Sequence, residues 1–351
     1  MATFIAFLRN NKNARCTALG LLTVALAACS AGATSHAQHT DTATNTRTAP
    51  LFEFHSNFWV NLHQCLVHEA LLSLGKPDRR LQSTAPLTAT GMNEKEASAW
   101  KNSVALYASR FGARQELFDD EMVRINNSLA QQKDDGSSLN ATDIPDAVAA
   151  VLRDAAPVYR KYWWAEHDRT NKNWIGSQLA HVHELGAQIA PAMEKDLRQP
   201  WPAAPIRVDV CYYVPAIGHA YTTTDPAHTT FSSSEASLQD LSGFETLFHE
   251  ASHSFSDKMS DALSAECSEQ RKNCGDLWHA ILFYTAGVEV RRALPPDEQA
   301  AFTPYAYKFG LYTRGEWPKY RAVLEKDWQP YLDGKTNFTT AIHSMVAGLP
   351  Q

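Results

Sequence analysis

The chain has 351 residues, 44% of them hydrophobic and 20% charged, and 32 basic against 38 acidic residues leave a formal charge of −6. These values exclude a disordered, collagen-like or disulfide-stapled chain and allow a hydrophobic core that needs no metal in order to fold. An acidic balance with no dense Lys/Arg cluster excludes a nucleic-acid partner, which requires a basic surface.

Residues 1–28 carry Arg9, Lys12 and Arg15, then an apolar run from Ala18 to Ala28, then Cys29. A basic start, a short apolar stretch and a processing site predict an export signal, because the run falls short of the about 20 apolar residues of a permanent span. Leu26-Ala27-Ala28-Cys29 resembles the lipobox of bacterial lipoproteins, which implies acylation of Cys29 and attachment to the membrane by a lipid anchor alone. Cleavage after Ala37, in Ser35-His36-Ala37, is the alternative and would release a soluble protein. Both routes place the mature chain in the bacterial cell envelope, in the periplasm. Residues 29–50, rich in Thr, Ala, Ser and His, read as a flexible tether.

Residues 51–202 read as a helical domain. Phe54, Phe58, Leu62 and Leu66 recur every four residues, and Trp100, Val104, Tyr107 and Phe111 every three or four. The period changes in residues 203–351. There Ile206, Val208 and Val210 alternate with Arg207, Asp209 and Cys211, which predicts a strand that Pro215 ends. The stretch His219 to Ser233, interrupted by Asp225-Pro226, reads as a hairpin or an irregular edge strand. A helix should follow from Ser242, with Glu245 reaching back as a capping box, and continue to about Met259. Another should run from Leu277 to about Leu294, where Pro295-Pro296 stops it. Cys267 and Cys274 bound a polar stretch that a disulfide could close, whereas Cys65 and Cys211 read as buried free thiols. The expected class is α+β, mostly α.

His249-Glu250-Ala251-Ser252-His253 lies inside the first of these helices. Residues four apart share a helix face, so both imidazoles can bind one Zn²⁺ at about 2.0–2.1 Å. Glu250, one step round, can reach a water on such an ion as a general base without ligating it. This HExxH pattern on a helix that follows strands resembles the zincin metallopeptidases. That resemblance covers roughly Ile206 to Leu294 and implies an active-site helix placed after a sheet whose edge strand lines a peptide-binding cleft. No His occurs in the six positions after His253, so the pattern is closer to the gluzincin arrangement, in which the next helix supplies the third ligand.

Two residues of the next helix compete for that role. His279 follows His253 by 26 residues in otherwise apolar company, and Glu289 follows it by 36. Ten residues apart is about 1,000° of helix rotation, so the two do not share a face. Glu266 and Glu269 are further carboxylates in range of the motif. Asp257 is a candidate to orient a ligand, and Tyr305, Tyr307 and His219 are candidate oxyanion donors. His55, His63 and His68 with Asn57 and Asn61 form a polar stripe, and Tyr162-Trp163-Trp164 with His167, Asp168 and Asn171 form another, each expected to be a hydrogen-bonded network or a cleft wall. Two functions remain open at this point. One is an exported metallohydrolase with a single zinc that cleaves a peptide or protein substrate. The other is a non-catalytic envelope lipoprotein on the same scaffold.

Overall fold

Strand β1 (Phe52–His55) opens the fold and lies parallel to β2 (Ile206–Cys211), with Phe52 opposite Ile206 and His55 opposite Asp209. In turn, β2 is parallel to β4 (Ala227–Ser232), and β3 (Ala220–Thr224) returns antiparallel beside β4. The order β1-β2-β4-β3 leaves β3 at one edge of a small mixed sheet. This computed structural model describes residues 49–76 and 78–350, so the expected export signal and Cys29 lie outside the described residues. The fold is α+β and mostly helical, and residues from Ala49 onward form one compact unit.

Alternation along β2 divides the interior. Ile206, Val208 and Val210 face one core, together with Phe231 and most of the C-terminal helices. Cys211 turns to the other, built from α1 (Phe58–Ser73), α2 (Glu94–Phe111), α3 (Asp120–Ala130) and α4 (Asp146–Tyr159). A period of two puts successive residues on opposite faces, so a single strand serves both cores. A π-helical turn at Arg160–Trp164 joins α4 to the long α5 (Ala165–Asp196).

The N-terminal segment departs from the helical expectation. Phe54 lies in β1, and the helix starts only at Phe58, where the Asn57 side chain accepts from the backbone N–H of Trp59 and Val60. A spacing of four residues between Phe54 and Phe58 imitates a helix, but it here spans a strand, a cap and the first helical residue. Because β1 pairs with β2, the sheet crosses the expected boundary between residues 202 and 203. Asn61 continues that pairing from the helix. Its amide donates to Val210 O at 3.0 Å and accepts from Tyr212 N at 3.0 Å.

Helix α6 spans Asp240–Ser252, and α7 (Asp257–Glu269) starts after a four-residue break, so the single helix expected to reach Met259 is two. The capping box is corrected as well. Gln239 is the N-cap residue, with no side-chain capping bond, and Glu245 turns into the core. Helix α8 spans Leu277–Ala293, close to its expected bounds, and the Cys267–Cys274 disulfide, with a Cα–Cα distance of 6.2 Å, ties the end of α7 to the turn before it. Cys65 and Cys211 are free and buried. Among the described residues, no helix is long and apolar enough to cross a membrane.

Candidate metal centre

From Ser242 to Ser252 every residue of α6 is buried. A helix enclosed on all sides carries its polar groups out of water, where each needs a specific partner. Close packing at its start depends on Gly243, where a Cβ would fall 2.2 Å from Leu238 O.

Helix α8 packs antiparallel against α6. Glu245 faces Gly287 across the interface, His249 stacks on Phe283 with ring centroids 3.5 Å apart and planes at 16°, and His253 lies 5.3 Å from His279 by ring centroid. Steps of four along each helix keep these residues on the facing sides. His253 is the C-cap residue of α6, still within reach of His249, with their rings 5.0 Å apart. His279, in the first turn of α8, brings its Nε2 to 3.2 Å from His249 Nε2.

One ligand atom from each of His249, His253 and His279 lies within 4.8 Å of the others, so the three can hold a metal ion. The donor set fits. Two nitrogens on one tetrahedral ion at about 2.0–2.1 Å stand about 3.3–3.4 Å apart, close to the His249–His279 separation. Burial lowers all three imidazoles, His253 to about 3, His279 to about 4 and His249 well below its ordinary value, with neighbouring imidazoles adding to the effect at His249 and His253. Each is therefore neutral at neutral pH, the form that offers a lone pair to a metal. Among the described residues no second group of this kind converges.

Glu250 faces the sheet. Its Oε2 accepts from Thr222 Oγ1 at 2.9 Å, and Thr222 stands on β3, the antiparallel edge strand. Burial raises the Glu250 carboxyl to about 7, offset in part by that hydrogen bond. Sequence reasoning missed Thr222, because in the run Tyr221-Thr222-Thr223-Thr224 nothing local marks which hydroxyl meets the helix.

The other candidates fall into different places. Glu289 bonds Arg292, with Oε1 2.5 Å from Nη1, and lies outside the imidazole group. Glu266 accepts from Gln270 and pairs with His343 at 2.8 Å, while Glu269 ends α7. Asp257 is exposed at the start of α7. Tyr305 borders the centre, its ring stacked on Phe283 at 5.8 Å and its phenol raised by burial and by nearby Glu235, Glu245 and Glu250. Its backbone N–H donates to Glu245 Oε2 at 2.6 Å, the contact that replaces the expected capping box. Tyr307 bonds Glu325 instead, and His219 Nδ1 lies 3.2 Å from Val214 O.

The two polar stripes of the N-terminal helices are largely networked. His63 Nδ1 meets Tyr107 Oη at 3.0 Å, His167 Nδ1 meets Tyr159 Oη at 2.8 Å, and His68 stacks on Tyr213 at 4.0 Å. Aromatic rings that sequence reasoning did not place also enclose the centre, with Trp317 meeting both His279 and Phe283 at 5.9 Å. No protein-family model matches the chain, and no curated protein or solved structure matches it either.

Proposed function

We propose that the protein is an exported zinc metallohydrolase that cleaves peptide bonds on a zincin-like scaffold, anchored in the cell envelope through a lipid on Cys29. The observation that carries this reading is the meeting of the two motif imidazoles with His279, while Glu250 between them turns to the edge strand.

His249, His253 and His279 would hold the ion. When bound, zinc supplies a Lewis acid that polarises a carbonyl and lowers the pKa of water to about 7. Glu250 takes a proton from the attacking water and gives it to the leaving amine. Thr222 keeps that carboxyl turned to the strand through its bond to Oε2. Among the described residues no further strand pairs with the outer edge of β3, the edge to which an extended peptide would add as a strand. Tyr305, whose phenol donates to Ser237 Oγ at 3.4 Å, stands at the border of the centre as the candidate oxyanion donor and would have to turn from Ser237 to act as one.

Glu250→Gln tests the reading. The variant should keep its zinc and lose hydrolysis of a peptide library by at least about a hundredfold. Wild-type protein that binds zinc and cleaves no peptide would reject the hydrolase and favour a non-catalytic envelope module.

A further inference from the structure

His279 is the third residue of α8, so its place depends on how the first turn of that helix is held. Helix ends fray unless their free backbone groups find partners. Asp276 is the N-cap residue, and no side chain caps the helix there. Two other contacts hold the turn. The Asp276 N–H donates to Tyr320 Oη at 3.1 Å, and the Cys267–Cys274 disulfide ties the residue two positions before Asp276 to the end of α7. Cys274 belongs to the turn itself, since its carbonyl accepts from Leu277 N at 2.9 Å, and Asp276 O in turn accepts from His279 N at 3.0 Å.

The elements that the bond joins are those that connect two of the three imidazoles along the chain. His253 ends α6, α7 follows, and His279 opens α8. Of the thirteen residues of α7 only Met259 and Leu263 are buried, so apolar packing gives this connection little hold. The turn after α7 places Arg271 at a φ of 54°, a conformation that a non-glycine residue keeps only where its surroundings fix it. The disulfide spans that turn and supplies the constraint. Cys267 and Cys274 are both half-buried and within reach of an external reagent, whereas Cys65 and Cys211 are buried.

We propose that closure of the Cys267–Cys274 disulfide completes the metal centre: it pins the first turn of α8, and His279 with it, so that the chain binds zinc tightly only once it is oxidised. This rests on the metal centre proposed above and adds its regulation. The bond forms by thiol–disulfide exchange, in which the two thiols give two protons and two electrons to an external disulfide, released as two thiols. Before export, in a reducing compartment, the thiol form keeps His249 and His253 on α6 but leaves His279 on a loose turn. Tight zinc binding then follows export.

Zinc affinity of purified protein, read by competition with a chromophoric chelator, tests this without any need for hydrolysis. Cys267→Ser/Cys274→Ser should bind zinc at least about tenfold more weakly than wild type, with an unchanged far-ultraviolet circular dichroism spectrum. Its cobalt(II) form should absorb more weakly in the visible than that of wild type, as a site short of one imidazole takes up water. In a His279→Ala background the same double substitution should have no further effect, because the disulfide acts through that imidazole. Should the serine variant fail to fold, wild type reduced with a phosphine and alkylated with iodoacetamide takes its place, and alkylation keeps the freed thiols off the metal. Equal zinc affinity with and without the disulfide overturns this proposal alone, as does an undiminished loss in the His279→Ala background. Wild type that binds no zinc overturns the metal centre together with it.

Discussion

Gly287 of α8 lies so close to Glu245 of α6 that a Cβ there would sit 2.9 Å from Glu245 Oε1 and 2.7 Å from the Cβ of Pro304. One turn along this interface His249 stacks on Phe283, and one turn further His253 faces His279. The helix spacing at Gly287 therefore governs how closely the three imidazoles converge.

Gly287→Ala should destabilise the protein by about 1–3 kcal/mol, because overpacking outweighs the about 1 kcal/mol that alanine gains in helix propensity. Urea unfolding measures the loss. Zinc affinity should fall with it, as α8 is pushed away from α6.

The Glu245 carboxyl is raised to about 8 by burial, against an ordinary value of 4.5. A folded-state value above the unfolded one means that the native state holds the extra proton between these limits. Its contribution to stability is complete below about 4.5 and is lost as pH rises through 8. Glu245→Gln keeps an acceptor for Tyr305 N–H and carries no charge. Thermal unfolding of chelator-treated protein should show the variant matching wild type near pH 5 and exceeding it near pH 9, by on the order of a few kcal/mol. A constant difference across that range would mean that Glu245 does not titrate as a buried acid.

His279→Ala and Glu289→Ala should separate cleanly. Removing His279 takes away one of the three converging imidazoles and should weaken zinc binding by at least about a hundredfold. Removing Glu289 leaves Arg292 with Asp333 as its remaining partner and disturbs the neighbouring Asp196, so the cost should appear in stability with zinc content unchanged. Metal titration and unfolding, run on both variants, read the two effects.

Asn61 is buried and binds four groups at once: its Nδ2 donates to Asn57 O at 2.9 Å and Val210 O at 3.0 Å, and its Oδ1 accepts from Tyr212 N at 3.0 Å and Asn171 Nδ2 at 2.9 Å. Asn61→Ala should cost about 2–4 kcal/mol, since it leaves the Tyr212 amide and the Val210 carbonyl buried without this partner. The loss should appear as a lower unfolding midpoint.

The parts of the fold visible in the sequence are those whose cause is local. Alternation marks β2 because its two faces meet two different cores, and Pro295-Pro296 marks the end of α8 because proline cannot continue a helix. His249, Glu250 and His253 stand out because a spacing of four is itself the geometry. What stayed hidden depends on distant partners. Ser242 and Glu245 have the spacing of a capping box, but Glu245 is drawn to Tyr305 N, sixty residues away in sequence. Phe54 and Phe58 have helical spacing, but β2 takes the first of them into the sheet. The choice between His279 and Glu289 turns on which face of α8 meets α6, and no single helix carries that information.

Metal analysis of purified protein is the most direct test of the central claim. After dialysis against metal-free buffer containing micromolar zinc, wild type should carry about one zinc per chain, and the His249→Ala/His253→Ala double variant should carry none while still folded by circular dichroism. Zinc retained at full stoichiometry by the folded double variant would contradict the account.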